Sequence, residues 1–469
     1  MTPVLKNPFG VLAPLLSLAF PMFLGQVGQV LLQLTDTVMI GHLGVVPLAG
    51  AALAGNFVMV TLYFASGAVG AVGPRIGHAF GAKDDSAVVN TLRAGILLAA
   101  IIGLVIALAL TALVPFLGRL GQPPEVASIC GGYLLLIAWS LPAGIVAMVL
   151  SQTAESVNRP WPVLGFMILA VAVNALLNWL LIYGNGGCPA LGLDGAGWAT
   201  CVTRWLHAAA LAIWIGLDRG LGRYPIGPFS VILNSNSRRE LGILFRFGLP
   251  AAAQDILEGG AFAAGAIMLG WVGTTALAAN QVTLGIASLA WMFPISLSMA
   301  TCVRVAHAIG AGDLAQARRT GIAAVLLGAG LMAACAVVYT TCGMFLARLF
   351  TDNDEVAGLA ATLITIAGVY QISDAIQSVS LGALRGLLDN RVPMIANFVC
   401  YWLFSLPTVY LLTFYAGWGA RGVWIGFLPW MVLTGLFFLW RFLRLTAAET
   451  KTASAENRVL LQAAPLNRL

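Results

Sequence analysis

The chain alternates long apolar runs with short polar intervals. A helix needs about 20 apolar residues to cross a bilayer, and twelve runs reach that length. They cover residues 12–40, 47–72, 92–117, 129–152, 161–183, 195–217, 242–270, 276–303, 320–347, 357–382, 393–416 and 421–443. The longest polar interval, around 218–241, is rich in Pro, Gly, Asn and Ser. The pattern predicts an all-α integral membrane protein of twelve transmembrane helices in two six-helix lobes. The expected organisation is an N-terminal lobe over 1–220, a cytoplasmic linker over 221–241, a C-terminal lobe over 242–445 and a cytoplasmic tail over 446–469.

The two halves repeat. At an offset of 229, Gly41-His42-Leu43-Gly44 aligns with Gly270-Trp271-Val272-Gly273. At the same offset the stretch Arg75 to Asp84 aligns with Arg304 to Asp313, matching Arg, His, Gly and Asp in one register, and Pro21 meets Pro250. Around Glu125 and Glu355 the offset is 230. Six helices per repeat is an even number, so the halves share one orientation. They are expected to be related by a pseudo-two-fold axis along the membrane normal, with cargo bound between them near mid-membrane. The Arg75 and Arg304 motifs read as tight cytoplasmic turns with snorkelling arginines.

Composition sharpens the class. The chain is 60% hydrophobic and 9% charged, with a mean hydropathy of +0.92. A soluble domain is about 45–50% apolar and about 25% charged. A cytosolic enzyme, a nucleic-acid binder and a disordered chain are thereby excluded, and the lipid bilayer is the expected surrounding. The net charge of +6 is read as loop Lys and Arg on one side of the membrane. Alternate loops with the termini hold 20 of the 24 Lys and Arg, and the opposite loops hold three, Arg119, Arg348 and Arg421. That asymmetry predicts both termini in the cytoplasm. No cleavable signal peptide is expected. The seven cysteines show no metal-ligand spacing, so neither a disulfide framework nor a Cys/His metal site is expected. No clustered His, GxSxG or HExxH motif is present, so no enzyme is expected.

Ionisable groups within the runs carry the functional signal, because each costs roughly 2.5–3.5 kcal/mol at the bilayer centre. Four acids qualify: Asp36, Asp255, Glu258 and Asp374, with Arg204 the one mid-span base. At helical spacing Gln26, Gln29, Gln33 and Asp36 fall within about 80° of one another. Gln254, Asp255 and Glu258 span about 100°, and Tyr370, Gln371, Asp374, Gln377 and Ser378 about 120°. Such stripes must face protein or water, since lipid cannot satisfy amides. Three of the four acids lie in the second half, which places the main cation site there. Asn174 and Asn178 share a face at i, i+4, as interhelical glue or as ligands beside Asp36.

At these residues the chain resembles the MATE (multidrug and toxic compound extrusion) family, in its NorM-type branch, over roughly residues 10–445. The stretches are LTDTVMIGHLG with Asp36, GLPAAAQDILEGGAF with Glu258, and YQISDAIQSVSLGALRG with Tyr370, Asp374 and Arg385. MATE proteins export cationic, often aromatic drugs against Na+ or H+, through two six-helix lobes in a V. The resemblance implies that Glu258 and Asp374 bind the coupling cation near Tyr370, with Na+ or H+ as the ion and no other cofactor. It implies a first-lobe cation site of Asp36, Asn174 and Asn178. Asp255 is not a family hallmark and is grouped with the second-lobe acids by position alone. Gln26, Gln29, Gln33, Gln371 and Gln377 are expected to line a polar cavity, and a monomer is the expected state. A flippase for lipid-linked precursors would prefer a basic interior, and a channel would not need two separate acidic sites.

Overall fold

A computed structural model of the chain describes residues 9–119, 121–227 and 235–447. Residues 228–234 of the expected linker and all but Thr446 and Ala447 of the expected tail lie outside the described residues. Among the described residues, twelve helices are long and apolar enough to cross a membrane. They are α1 (Gly10–Gly41), α2 (Val45–Gly81), α3 (Asp85–Arg119), α4 (Pro124–Ser156), α5 (Pro160–Tyr183), α6 (Leu193–Leu217), α7 (Ser237–Val272), α8 (Thr274–Gly310), α9 (Leu314–Arg348), α10 (Asp354–Gly386), α11 (Arg391–Tyr415) and α12 (Ala420–Leu445). No strand occurs among the described residues.

Local chemistry sets the helix ends, and the two halves use the same devices. Gly44 and Gly273 turn the chain from α1 into α2 and from α7 into α8 with φ of +118° and +145°, a region side chains resist. Asp84 and Asp313 cap α3 and α9, each accepting from a backbone N–H three residues on. Hydrogen bonds from the Ser86 hydroxyl and nearby backbone hold the Asp84 carboxyl below its usual range. The Arg75 and Arg304 motifs are helical at the arginine, and the tight turn comes at the motif's end, where Lys83 and Gly312 take left-handed backbone with φ of +59° and +78°. In α2 the helix breaks at Gly70 and Ala71 and resumes from Val72 to Gly81, while α8 runs unbroken to Gly310. Each arginine has a directed partner. Arg75 makes a bidentate pair with Glu240 at 2.8 and 3.1 Å, and Arg304 donates to the Pro14 carbonyl at 2.8 Å.

The chain divides into two compact units. The N unit runs from Leu24 to Ala252, and the C unit holds the described residues up to Phe23 and from Ala253 onward. The division does not follow the polar linker. It falls inside α1 and inside α7, at positions 229 apart. Packing explains it. Leu15, Leu18, Ala19 and Met22 of α1 are buried with Leu297, Val325 and Val379 of the C unit, while Leu244 and Ala252 of α7 join the core of the N unit.

In the N unit α4 packs against α2, α3 and α6; in the C unit its repeat equivalent α10 packs against α8, α9 and α12. Lipid supplies no hydrophobic drive between helices, so contact comes from close approach over small residues. At Gly103 of α3 a Cβ would lie 2.5 Å from the Pro142 Cα of α4. Gly103→Val should therefore force these helices apart, at a cost of about 1–3 kcal/mol. A clear fall in the thermal midpoint of the detergent-solubilised protein is expected, and an unchanged midpoint would contradict the contact.

Candidate functional site in the helix interiors

In the C unit three helices bring carboxylates and amides together. α7 supplies Asp255 and Glu258 one turn apart, α10 supplies Asp374, and α11 supplies Asn397. The Asn397 amide donates to Glu258 Oε2 at 3.0 Å. Ser378 donates to Asp374 Oδ1 at 3.3 Å from one turn along the same helix. Asp374 is only 6% exposed. The charges of Asp374, Asp255 and Arg385 all act on Glu258.

Asp255 has a different environment. Arg385 Nη2 donates to Asp255 Oδ1 at 2.6 Å, with both side chains largely buried. Sequence spacing puts Arg385 just past the end of its apolar run, in a loop. The structure keeps it in α10, so the interior holds a second base and Asp255 is neutralised. Among the described residues Glu258 and Asp374 have neutral hydrogen-bond donors only.

Aromatic rings surround this cluster. Phe262 makes edge contacts with Tyr370 and Tyr401 at centroid distances of 6.4 and 5.8 Å, and Tyr370 meets Trp424 at 5.5 Å. Gln371 and Gln377 are buried between helices. Gln371 donates to the Ala287 carbonyl at 2.8 Å, and Gln377 accepts from the Tyr401 hydroxyl at 3.0 Å. Two acceptor oxygens, Asn397 Oδ1 and Gln371 Oε1, are buried with no donor.

In the N unit Asp36 accepts from Asn178 Nδ2 at 2.6 Å and from the Thr200 hydroxyl at 3.3 Å. The Asn178 amide also reaches Asn174 Oδ1 at 3.1 Å, and both asparagines are fully buried. Arg204, one turn beyond Thr200 on α6, donates to the Ser140 hydroxyl of α4 at 2.8 Å. Gln26 is half-buried, whereas Gln29 and Gln33 are exposed on α1.

Asn397, Tyr401 and Thr200 were not singled out by the sequence reading. A signal existed for the first two. Asn397, Tyr401 and Ser405 form an i, i+4, i+8 stripe in an otherwise apolar run. α11 also becomes π-helical over Phe398–Ser405, a distortion frequent at functional positions.

The MatE family model matches residues 21–180 and 250–411, which include every one of these acids. The chain belongs to the MatE family. It is 37% identical to the probable multidrug resistance protein NorM of Rhodopseudomonas palustris, covering 93% of each chain. It is 35% identical to the protein of the same name from Bradyrhizobium diazoefficiens, covering 90% of this chain and 91% of that one. Its fold matches a MATE transporter crystallised in the bent conformation, with a TM-score of 0.85 at 19% identity over 98% of this chain and 99% of that one. It is a NorM-type member of a transporter family, not an enzyme.

The pairing of Asp255 separates it from its neighbour. Asp255→Asn should destabilise the protein by on the order of 1–3 kcal/mol, because it leaves the Arg385 guanidinium without its anion. Glu258→Gln should leave stability near wild type and abolish transport. Measured thermal midpoints and dye efflux in the reverse order would overturn the two roles.

Proposed function

We propose that the protein is an antiporter of the bacterial inner membrane. It expels cationic, often aromatic drugs in exchange for Na+ or H+, acts as a monomer and keeps both termini in the cytoplasm. The observation that carries this reading is the pair Glu258 and Asp374. They are two carboxylates of one unit, deep in transmembrane helices, whose hydrogen-bond donors among the described residues are Asn397 and Ser378. Two anions held in each other's field favour the uptake of one positive charge, as a proton or as a metal cation. Hard cations are held by several oxygens, and Asn397 Oδ1 and Gln371 Oε1 are buried acceptors with no donor of their own. The cluster therefore suits a small cation as co-substrate.

Phe262 and Tyr370 give the cargo a complementary surface. Both are partly exposed beside the acids, and an aromatic face attracts an organic cation. Alternating access would let the coupling cation and the drug occupy their sites in turn. In the N unit Asp36, Asn174, Asn178 and Thr200 form a second acidic site, with Arg204 as a nearby counter-charge. An acidic interior of this kind favours cationic cargo over phosphate-bearing lipid precursors.

Ethidium efflux from proteoliposomes tests the reading. Asp374→Asn keeps the shape and hydrogen bonding of the side chain but cannot carry the charge. It should lower gradient-driven efflux by 100-fold or more, on the order of 3 kcal/mol, while expression holds. Titrating Na+ at a fixed pH gradient then identifies the ion. Near-normal efflux from Asp374→Asn would sink the assignment.

A further inference from the structure

α4 and α10 are repeat equivalents of identical length, Pro124–Ser156 and Asp354–Gly386, in register at an offset of 230. The register continues past their ends, where Asn158 and Leu388 both take left-handed backbone with φ of +61° and +58°. The penultimate residues of the two helices are therefore equivalent. In the C unit that residue is Arg385, bound to Asp255 at 2.6 Å. In the N unit it is Glu155, and the position equivalent to Asp255 is Gln26. The N unit thus has a carboxyl where its repeat has a guanidinium, and an amide where its repeat has the carboxylate.

Nothing around Glu155 favours its anion. It sits in the last turn of α4, at the negative end of the helix dipole. Among the described residues the Glu155 side chain makes neither a hydrogen bond nor an ion pair. The charged groups of the elements packed on this end of α4 are engaged elsewhere. Arg75 of α2 pairs with Glu240, and His78 beside it has its own partner. Arg93 of α3 donates to the carbonyls of Ile226 and Pro225, and the Asp85 carboxylate accepts from Tyr224. Arg159 faces Asp218 at 3.8 Å. On α6, Arg204 is bound to Ser140, and His207 is half-buried with no partner on Nε2. The flanking turn of α4 is fixed. Gln152 accepts from the Gly73 N–H at 3.3 Å, and Ser156 donates to the Gly73 carbonyl at 2.9 Å. The carboxyl is only part-buried, so water on the side of the Arg-rich loops can reach it.

We infer that Glu155 is a proton-binding site of the N unit, separate from Asp36 and from the Glu258–Asp374 pair, which is loaded and emptied during the transport cycle. The inference rests on the antiport reading. The exchange is simple: the carboxyl gives its proton to water on the side of the Arg-rich loops and takes one back from it.

Infrared difference spectra of the full-length protein in liposomes, between about pH 6 and 8, test this directly. Wild type should show a protonated-carboxyl band that Glu155→Gln lacks and Glu155→Asp keeps. The double change Gln26→Asp with Glu155→Arg rebuilds the ion pair of the C unit, so it should fold and also lack the band. Efflux of ethidium driven by a pH gradient should fall roughly tenfold in Glu155→Gln, about 1.4 kcal/mol. Protonated-carboxyl intensity in Glu155→Gln equal to that of wild type, or efflux with an unaltered pH profile, would overturn the inference. Failure of the antiport reading looks different, because wild type would then move no ethidium under either a Na+ or a pH gradient.

Discussion

Hydrocarbon offers no hydrogen-bond partner, so every polar group that enters the bilayer must find one in the protein or in water. The rest of the structure follows from that constraint. It makes each span a helix, and it makes the few interior charges conspicuous. It also dictates their partners. Asp36 has Asn178 and Thr200, Asp255 has Arg385, Arg204 has Ser140, and Trp424 is bound to Asn280. Among the described residues Glu258 and Asp374 have one neutral donor each, Asn397 and Ser378. Among the described residues, Asp255 is the one of these four acids whose carboxylate is hydrogen-bonded by a base.

The repeat makes that difference readable twice. The sixth and twelfth helices begin at equivalent glycines, Gly192 and Gly419, with φ near +57° and +54°. At their offset of 227 Thr200 corresponds to Phe427 and Arg204 to Met431, and at the offset of 229 that relates the first and seventh helices Asp36 corresponds to Gly265. The contact is kept although its chemistry is exchanged. Asp36 bonds Thr200, and a Cβ on Gly265 would lie 2.9 Å from the Phe427 ring. Where the N unit has the acid, the hydroxyl and the arginine, the C unit has glycine, an aromatic ring and methionine. An arginine without its acid, or an acid without its donors, would be costly to bury. The two units thus share a scaffold and differ by whole interacting sets.

Much of the fold was legible because its cause is periodic. Apolar run length locates all twelve spans, and polar stripes locate Asp36, Asn174, Asn178, Glu258 and Asp374. What was not legible depends on where helices end and on what packs beside them. The runs stop at 72 and 303, but helix continues to Gly81 and Gly310, where Arg75 and Arg304 have partners in the protein, Glu240 and the Pro14 carbonyl. The same extension keeps Arg385 inside α10 and hides the pairing of Asp255 from any reading of one strand of sequence. Thr200 was invisible for another reason: a hydroxyl can bond its own helix backbone and gives no stripe by itself.

The position of the unit boundaries was also hidden, although its marker was in view. Pro21 and Pro250 align at the repeat offset and precede the boundaries at Phe23 and Ala252 by two residues each. A proline inside a helix removes one hydrogen bond and clashes with the carbonyl one turn back, so the ladder is weakest around Ser17 in α1 and Arg246 in α7. The remaining backbone bonds hold both segments in helix. Each of these helices therefore passes from one packing unit to the other beside the place where its own ladder is interrupted. A linker would have marked the boundary by polarity. Here two prolines within apolar runs mark it, and the polar stretch at 221–241 separates the sequence repeats without separating the packed units.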